Sequence, residues 1–574
     1  MKFVIDKQFV TALVSEFEEL AFLSEQLRFG NRAEVLFEQL AQRHVEHLHQ
    51  LYLEAGESMQ SRAALVATLL DAMRYKTASY ESGQLEHMVP DLMAYLCDGA
   101  LRGWLFRVNE AGKPLPFVLT RLDYTPPGEE ESGRVLVELK ANSMAKVTTK
   151  TLTFTERDIE GRTLPEMLIA KGYLKETPDM IAAYDASMER YFAWRPQTGT
   201  QFEGSGTAIY TEDPTANHRS TDWTRKTQVV LSSSGGWSRL VNDEDVLQNR
   251  ELTLQMPGQV AGKYLRKAGR SMSYNDKIEA EVEKAVASLP EGLFTDMPVH
   301  GYLLMFHLEL HHHVWVHVDD MRLYEYQPEL KDKLVLPPEH TDLIDILTAE
   351  MDLLLDDVVA GKSGGTTVLC AGPAGVGKTL TAEVYSEIIK RPLYRVHSGQ
   401  LGLNVMEMEQ ALKDTLTRAQ RWGAVMLIDE ADVYIKRRDD NIAANAVVGV
   451  FLRVLEYFNG LLFLTTNRIH DIDEAIVSRC IALIRYHPPE LEDRKRIWTV
   501  MSRQFGLALS AEMIHQLGEQ FPDACGRDIK GLSKLVAKYC HHKSVVPSLD
   551  VFERCSGFRG MEMRGMEEPS RIAD

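Results

Sequence analysis

The chain has 574 residues and a formal net charge of −19, with 64 Lys and Arg residues against 83 Asp and Glu residues. A chain of this length usually contains several domains, and a hydrophobic content of 44% lies outside the range of disordered proteins. The acidic charge disfavours broad contact with nucleic acid or with acidic membranes.

Targeting and membrane signals are not evident in the sequence. Charged residues interrupt the first apolar positions, and no window reaches the roughly 18 consecutive apolar residues that a bilayer span needs. The six cysteines include no closely spaced pair, so neither a disulfide framework nor a thiolate zinc site is indicated. We therefore expect a cytoplasmic protein without a membrane partner.

The first hundred residues have the pattern of amphipathic helices. Apolar residues recur at steps of three and four between residues 9 and 29, and similar spacing returns in residues 35–53 and 65–73. This periodicity predicts a helical N-terminal module over residues 1–104.

The pattern changes after residue 104 to short runs rich in β-branched residues, separated by Pro and Gly. Two helix starts interrupt these runs, a capping box at Thr163 and an N-cap at Thr177 followed by proline. Residues 105–335 are therefore predicted to form a mixed α+β, β-rich region, and we expect this region to bind a partner.

A group of four basic residues lies within this region, at a spacing that would place them on one side of a helix: Lys263, Arg266, Lys267 and Arg270. A solvated helix face is the favoured interpretation of this group. Contact with phosphate or nucleic acid is the alternative.

Alternation from Met305 to Asp320 predicts one strand with a polar face, formed by His307, Glu309, His311, His313, Trp315, His317 and Asp319. Histidine and carboxylate side chains can bind a transition metal. Side chains at every second position project along a line, however, whereas metal ligands must converge. A strand with one solvated face is therefore favoured over a metal site.

The most informative motif follows an apolar run at residues 368–371. It is the complete G-x-x-x-x-G-K-[ST] phosphate loop in a strand-loop-helix context. Backbone N–H groups of such a loop surround the phosphates, Lys378 neutralises β- and γ-phosphate oxygens, and the Thr379 hydroxyl binds Mg²⁺. The predicted nucleotide-binding residues are Gly372, Pro373, Ala374, Gly375, Val376, Gly377, Lys378, Thr379 and Leu380.

Two further apolar runs end in polar residues. Residues 425–428 lead into Asp429 and Glu430, and carboxylates at the end of a buried parallel strand lie in the ligand crevice of α/β sheets. Asp429 is predicted to hold Mg²⁺ through water, and Glu430 to polarise the water that attacks the γ-phosphate. Residues 460–464 lead towards Asn467, whose amide is placed to orient the same water.

These motifs, with Ser-Arg-Cys around Arg479 and Gly-Arg-Asp around Arg527, resemble an AAA+ ATPase in their order and spacing. The resemblance covers about residues 336–545. The residues leading up to this core are similar to those of largely uncharacterised AAA-family proteins with a long N-terminal region. The resemblance implies that Asn467 is sensor 1, that Arg479 is an arginine finger reaching a neighbouring subunit, and that Arg527 is sensor 2.

The resemblance also implies an architecture. We expect an α/β P-loop nucleotide domain over residues 336–490 and a small helical lid over residues 491–545, with residues 546–574 left as a C-terminal tail. It further implies a homo-oligomeric ring, most often a hexamer.

The chain departs from the protein-threading members of that family in the loop after the second core strand. Those members carry an aromatic residue there, whereas residues 398–404 contain none. Gripping a polypeptide would have to use Leu401 and Leu403, which offer less contact area than Tyr or Phe. Brief remodelling or disassembly of a complex is therefore favoured over processive unfolding.

Three functional hypotheses follow. The first is an oligomeric ATPase that uses ATP and Mg²⁺ to remodel a protein partner selected by the N-terminal region. The second is a nucleic-acid-linked ATPase, because the Ser-Arg-Cys motif is also similar to clamp-loader motifs and a basic group is present. The third is a nucleotide-gated scaffold, which would not need Asp429, Glu430, Asn467 and Arg479 together. We favour the first.

Overall fold

The computed structural model describes residues 2–561, apart from 29, 37–38, 75–78, 109–112, 130, 212–227, 232–235, 248–250, 255–291, 350–364, 403 and 439–441. The basic group at residues 263–270 lies outside the described residues. Within the described ranges, the helices are all too short or too polar to cross a membrane.

The N-terminal module combines helices with one pair of strands. Its elements are β1 (Lys2–Asp6), α1 (Lys7–Glu16), α2 (Phe22–Gln26), β2 (Arg32–Leu36), α3 (Gln42–Glu54) and α4 (Gln60–Arg74), followed by α5 (Met88–Cys97). Strands β1 and β2 pair antiparallel, a feature that helical periodicity did not indicate. The apolar face of α1, formed by Phe9, Val10 and Leu13, is buried in the core of this module.

A second, antiparallel sheet follows, with strand order β6-β5-β4-β3-β7. Its elements are β3 (Trp104–Val108), β4 (Pro114–Thr125), β5 (Arg134–Ser143), β6 (Lys146–Thr155), α6 (Glu156–Ile159), α7 (Leu164–Ala170), β7 (Tyr173–Lys175) and α8 (Pro178–Trp194). Alternate residues of β5 are buried, as expected for a sheet with one face on the core. Helix α5 packs in the core of this sheet. The core therefore contains residues from both sides of the domain boundary predicted at residue 104.

Both helix starts predicted in this region are confirmed. The backbone N–H of Thr163 donates to the Glu166 carboxylate at 2.8 Å, closing the capping box of α7. The Thr177 hydroxyl accepts the Met180 N–H at 3.3 Å and caps α8.

The third sheet is also antiparallel and has the order β10-β9-β13-β12-β11-β8-β14. Its strands are β8 (Gln201–Gly204), β9 (Thr207–Thr211), β10 (Gln228–Val230), β11 (Ser238–Asn242), β12 (Tyr302–His307), β13 (His312–His317) and β14 (Met321–Leu323).

The single strand predicted from Met305 to Asp320 is wrong. The chain reverses between β12 and β13, with His311 in the left-handed region at φ 55° and His307 opposite His312. His307 Nδ1 accepts the N–H groups of Glu309 and Leu310 at 3.3 and 3.2 Å, which stabilises the turn.

The expected solvated face is wrong as well. His307, His313 and His317 are buried, with exposures of 2%, 8% and 7%. Among the described residues, no group of three or more His, Cys, Asp and Glu side chains is arranged to hold a metal ion. His307 and His313 each have a hydrogen-bond partner within the protein.

The fourth sheet is parallel, with the order β16-β17-β18-β15-β19. Its region contains α9 (Pro338–Ala349), β15 (Thr366–Ala371), α10 (Lys378–Ile388), β16 (Leu393–His397), α11 (Ser398–Leu401), α12 (Val405–Trp422), β17 (Val425–Asp429), α13 (Asp432–Ile435), α14 (Ile442–Leu455), β18 (Leu461–Thr466), α15 (Glu474–Val477) and β19 (Ala482–Arg485). Strands β17 and β18 are buried along their whole length, as is typical of a parallel sheet covered on both faces. The predicted α/β fold of this region is confirmed.

Four helices follow the parallel sheet: α16 (Leu491–Phe505), α17 (Ala511–Gln520), α18 (Gly526–Lys543) and α19 (Leu549–Gly557). They share one apolar core around Trp498. Helix α19 lies in the segment predicted as a tail, and its Phe552 is fully buried in this core. The helical bundle therefore extends at least to residue 557.

The third sheet is joined to the parallel-sheet domain by a buried polar group that we call the Asp243 cluster, formed by Asp243, His313, Arg421 and Trp422. Asp243 is fully buried, and its Oδ1 accepts hydrogen bonds from the Trp422 indole N–H at 2.7 Å and from the Arg421 guanidinium. Its Oδ2 lies 2.7 Å from His313 Nε2. A buried charge needs such partners to offset its loss of hydration.

A second polar contact involves Glu387, in the last turn of α10. Its carboxylate accepts the Tyr324 hydroxyl at 2.6 Å and the Gln327 backbone N–H at 3.0 Å. Arg239 Nη2 lies 3.4 Å from Glu387 Oε1. The helix that begins at Lys378 is thus anchored at its other end to the chain that follows the third sheet.

Candidate nucleotide site

The phosphate loop connects β15 to α10, and its backbone requires glycine at two positions. Gly375 and Gly377 have φ values of 81° and 105°, in the left-handed region that residues with a Cβ rarely adopt. A Cβ on Gly375 would also lie 2.4 Å from Cys525 Sγ and 3.1 Å from Arg527 Cβ. The loop is therefore closely packed against the start of α18.

Lys378 is 7% exposed and is the first residue of α10, directly after the loop. Its ammonium group donates to the carbonyl oxygens of Gly372 and Pro373 at 2.8 and 2.6 Å, and to Asn467 Oδ1 at 2.9 Å. Burial lowers the pKa of Lys378, while the negative charge of Asp429 acts in the opposite direction. The structure thus brings the loop lysine and the predicted sensor 1 residue into direct contact.

Asp429 ends β17 beside the first turn of α10. Its Oδ1 accepts the Thr379 hydroxyl at 3.0 Å and the Thr465 hydroxyl at 2.5 Å. Burial raises the pKa of Asp429, but the Thr465 hydrogen bond and the charge of Arg395 outweigh it, so that the net shift is downward. A hydroxyl and an ionised carboxylate therefore converge at one point.

This pair of oxygen ligands fits Mg²⁺. The ion prefers oxygen donors, keeps several waters and usually takes only one or two protein carboxylates. Thr379 Oγ1 and Asp429 Oδ1 lie close enough for one hydrated ion to contact both. The two residues predicted from the sequence as metal ligands are thus placed together.

Glu430 has a strained backbone. It is exposed and has φ 55°, a conformation that costs a residue other than glycine about 1 kcal/mol or more. Its N–H donates to Thr465 Oγ1 at 3.0 Å, which fixes the position of this residue beside Asp429. Such strain concentrates at functional sites.

The backbone of Asn467 is held by Asp432. One carboxylate oxygen of Asp432 accepts the Asn467 N–H at 3.2 Å and also the Thr466 hydroxyl. The amide side chain of Asn467 is therefore presented from a fixed backbone towards Lys378.

Arg527 lies in the first turn of α18, which meets the phosphate loop. Its backbone N–H donates to the Gly375 carbonyl at 3.3 Å, and its positive charge contributes to lowering the pKa of Lys378. The predicted sensor 2 residue thus lies next to the loop, on the helical bundle.

Arg479 contacts a different part of the domain. Its Nε donates to Glu456 Oε1 at 3.1 Å, its Nη2 donates to the same oxygen, and its Nη1 donates to the Ala475 carbonyl at 3.2 Å. These contacts hold the Arg479 side chain against residues 456 and 475. The exposed side chains of Tyr457 and Ile481 lie on the same segments.

The segment after β16 corrects one expectation. Leu401 is 2% exposed and belongs to the core of the parallel-sheet domain. The Tyr434 hydroxyl lies within hydrogen-bond distance of the carbonyl oxygens of Ser398 and Gly402, at 2.6 and 3.1 Å, and holds this turn on the domain. Leu401 is therefore a core residue and is not placed to grip a polypeptide, while Leu403 lies outside the described residues.

Two residues of the site were missed in the sequence. Thr465 bridges Asp429 and the Glu430 backbone, and the only signal for it was a threonine at the end of an apolar run. Arg395 donates to Asp429 Oδ2 at 2.6 Å, and its signal was a single charge inside the apolar strand β16. Neither signal identifies a partner, because the contacts join residues about 35 positions apart.

The family model described as "ATPase family associated with various cellular activities (AAA)" matches residues 368–487. A Schizosaccharomyces pombe protein named 26S proteasome regulatory subunit 8 homolog is 24% identical over 218 residues, which cover 36% of this chain and 51% of that protein. An uncharacterized AAA family ATPase of Sinorhizobium fredii is 30% identical over 129 residues, which cover 21% of this chain and 39% of that protein. This chain therefore spans about half or less of the length of these relatives.

One chain in the solved structure of the E. coli MS115-1 HORMA:CdnC:Trip13 complex is also similar. It has 19% sequence identity and a TM-score of 0.33, over 40% of this chain and 91% of that chain.

Proposed function

We propose that this chain, whose residues 368–487 match the AAA family model, is a Mg²⁺-dependent, ATP-hydrolysing oligomer that remodels a protein partner. The observation that carries the proposal is the convergence of Lys378, Thr379, Asp429 and Asn467 at one edge of the parallel sheet. That edge is where open α/β sheets bind ligands.

Each residue has a distinct role in this proposal. Lys378 neutralises phosphate oxygens, and Thr379 and Asp429 hold Mg²⁺, which supplies charge stabilisation at the phosphates when bound. Glu430 accepts a proton from the attacking water as the water oxygen bonds to the γ-phosphorus and the bond to the β-phosphate oxygen breaks. Asn467 orients that water, and Arg527 contacts the γ-phosphate from the helical bundle.

The proposed role of Arg479 requires a second copy of the chain. Its guanidinium is held by Glu456 on the surface, beside Tyr457 and Ile481 with exposures of 69% and 55%. Large apolar side chains exposed next to a functional charge are typical of an interface. We propose that this surface packs on the nucleotide site of a neighbouring subunit, where Arg479 stabilises the charge of the transition state.

A protein is the favoured partner for two reasons. The chain carries an excess of acidic residues, which disfavours nucleic acid, and one relative is named as a proteasome regulatory subunit. The region before residue 336 is joined to the ATPase domain through the Asp243 cluster and Glu387. In this proposal that region selects the partner and the ATPase domain supplies the work.

Mixing two inactive variants tests whether the site is completed between copies. Arg479→Ala keeps an intact phosphate loop, and Lys378→Ala keeps an intact arginine. Each variant alone is expected to hydrolyse almost no ATP. A 1:1 mixture is expected to regain about a quarter of the wild-type rate, because one random head-to-tail interface in four unites an intact Arg479 with an intact phosphate loop.

The mixture is measured by phosphate release at a concentration where the wild type is assembled. A mixture of Lys378→Ala with Glu430→Gln is the matched control. Both substitutions lie in the nucleotide site of the same chain, so every site in the mixture lacks either the lysine or the glutamate and is expected to stay inactive. If the first mixture stays as inactive as its parts, Arg479 does not act on a neighbouring subunit.

A further inference from the structure

Arg395 lies between two carboxylates at the edge of the nucleotide site. Its Nη2 donates to Asp429 Oδ2 at 2.6 Å, and its Nη1 lies 3.6 Å from Glu383 Oε1. Its Nε is buried and has no hydrogen-bond partner among the described residues. The guanidinium therefore makes one short hydrogen bond to Asp429 and leaves part of its donor capacity unused, although a second carboxylate is near.

The two oxygens of Asp429 serve different partners. Oδ1 faces the hydroxyl groups of Thr379 and Thr465, and Oδ2 faces Arg395. A divalent ion held by Thr379 and Asp429 would thus share this carboxylate with a fixed positive charge. Two cations next to one carboxylate repel each other, and each lowers the affinity of the carboxylate for the other.

Glu383 offers Arg395 another partner on the same helix as Thr379. The two residues are four positions apart on α10, so they lie on one face of the helix. Burial raises the pKa of Glu383, while the positive charges of Arg395, Arg239 and Lys530 act in the opposite direction. Removing the charge of Glu383 would leave Asp429 as the only carboxylate in contact with Arg395 among the described residues.

We propose that Arg395 competes with the divalent metal for Asp429, with Glu383 as the alternative partner of its guanidinium, and thereby sets the metal concentration at which nucleotide binds. Arg395 is then a positioning residue that acts through Asp429. The inference rests on the proposed ATPase function, because it assigns the Mg²⁺ site to Thr379 and Asp429.

The test uses the full-length chain and a fluorescent N-methylanthraniloyl derivative of ADP, titrated with MgCl₂ at a fixed nucleotide concentration. Arg395→Gln is expected to lower the half-saturating Mg²⁺ concentration by about three- to tenfold, because a nearby unit charge is removed at intermediate dielectric. Glu383→Gln is expected to raise it, and Arg395→Lys, which keeps the charge, is expected to stay near the wild type.

Arg453→Gln is the matched control. It removes another Arg–Glu pair of the same domain, because Arg453 Nη2 lies 2.6 Å from Glu409 Oε2, and it is expected to leave the Mg²⁺ dependence unchanged. Thermal unfolding of each variant reports whether the domain is still folded. Arg395→Lys changes the same side chain but keeps its positive charge, so it separates the effect of the charge from that of the substitution.

The outcomes separate the two proposals. This inference is overturned if the half-saturating Mg²⁺ concentration of Arg395→Gln is equal to or above that of the wild type. It is also overturned if Arg453→Gln lowers that concentration as much as Arg395→Gln does. In both cases, ADP binding by the wild type still upholds the nucleotide site. Absence of ADP binding by the wild type with saturating Mg²⁺ overturns both.

Discussion

Glu430→Gln is expected to lower the rate of ATP hydrolysis by roughly 10²- to 10⁴-fold, the usual contribution of a positioned general base. An amide cannot accept the proton of the attacking water, whereas the phosphate contacts of Lys378 and the loop do not depend on the Glu430 side chain. ATP is therefore expected to remain bound. Steady-state phosphate release gives the rate, and equilibrium binding of labelled ATP gives the affinity.

Glu407→Gln is the control for this change, because Glu407 is an exposed glutamate of the same domain on α12. It is expected to hydrolyse ATP at the wild-type rate. Equal rates for the wild type and Glu430→Gln would contradict the assignment of Glu430 as the base. Loss of ATP binding in Glu430→Gln would instead mean that the substitution disrupts the nucleotide site, so that the lower rate would not report on a base.

Asp243→Ala is expected to weaken the contact between the third sheet and the parallel-sheet domain by about 3 kcal/mol, because it leaves buried donors and a charge without their partner. The groups affected are His313, Arg421 and Trp422. Chemical denaturation measures the free energy of unfolding, and limited proteolysis shows whether the two regions separate. Asp245→Ala is the control, since Asp245 is exposed and lies two residues away. A similar loss of unfolding free energy in both variants would contradict the role of the cluster.

The same cluster predicts the direction of a pH effect. Burial raises the pKa of Asp243, but the His313 hydrogen bond and the charge of Arg421 outweigh it and hold the pKa below its usual value. A carboxyl group whose pKa is lower in the folded state contributes stability above its unfolded pKa and loses it as the pH falls through its folded pKa. The wild type is therefore expected to lose its advantage over Asp243→Ala below about pH 4, the ordinary range of an aspartate.

The parallel-sheet domain was predictable because its signals are local. The apolar run at residues 425–428 became β17, and the phosphate loop lies between β15 and α10 as expected. An apolar run that ends in carboxylates specifies a buried strand and a polar edge together. The positions of Lys378, Thr379 and Asp429 follow from this arrangement.

The missed features depend on contacts between distant residues. Alternation from Met305 to Asp320 suits one long strand as well as a hairpin, because the reversal depends on the left-handed backbone of His311. The burial of His313 on this hairpin goes with a contact to a distant residue, Asp243. Leu401 was similarly assigned to a loop surface, although it packs in the core.

The most direct test of the central claim is the mass of Glu430→Gln particles with and without ATP, measured by mass photometry in Mg²⁺. ATP is expected to shift the single-chain mass of 65.0 kDa to that of a ring of several chains, and the trapped ring is expected to retain a protein added from the source lysate. A single-chain mass under both conditions would contradict a site completed by a neighbouring Arg479. A ring that retains nucleic acid instead of protein would contradict the proposed partner.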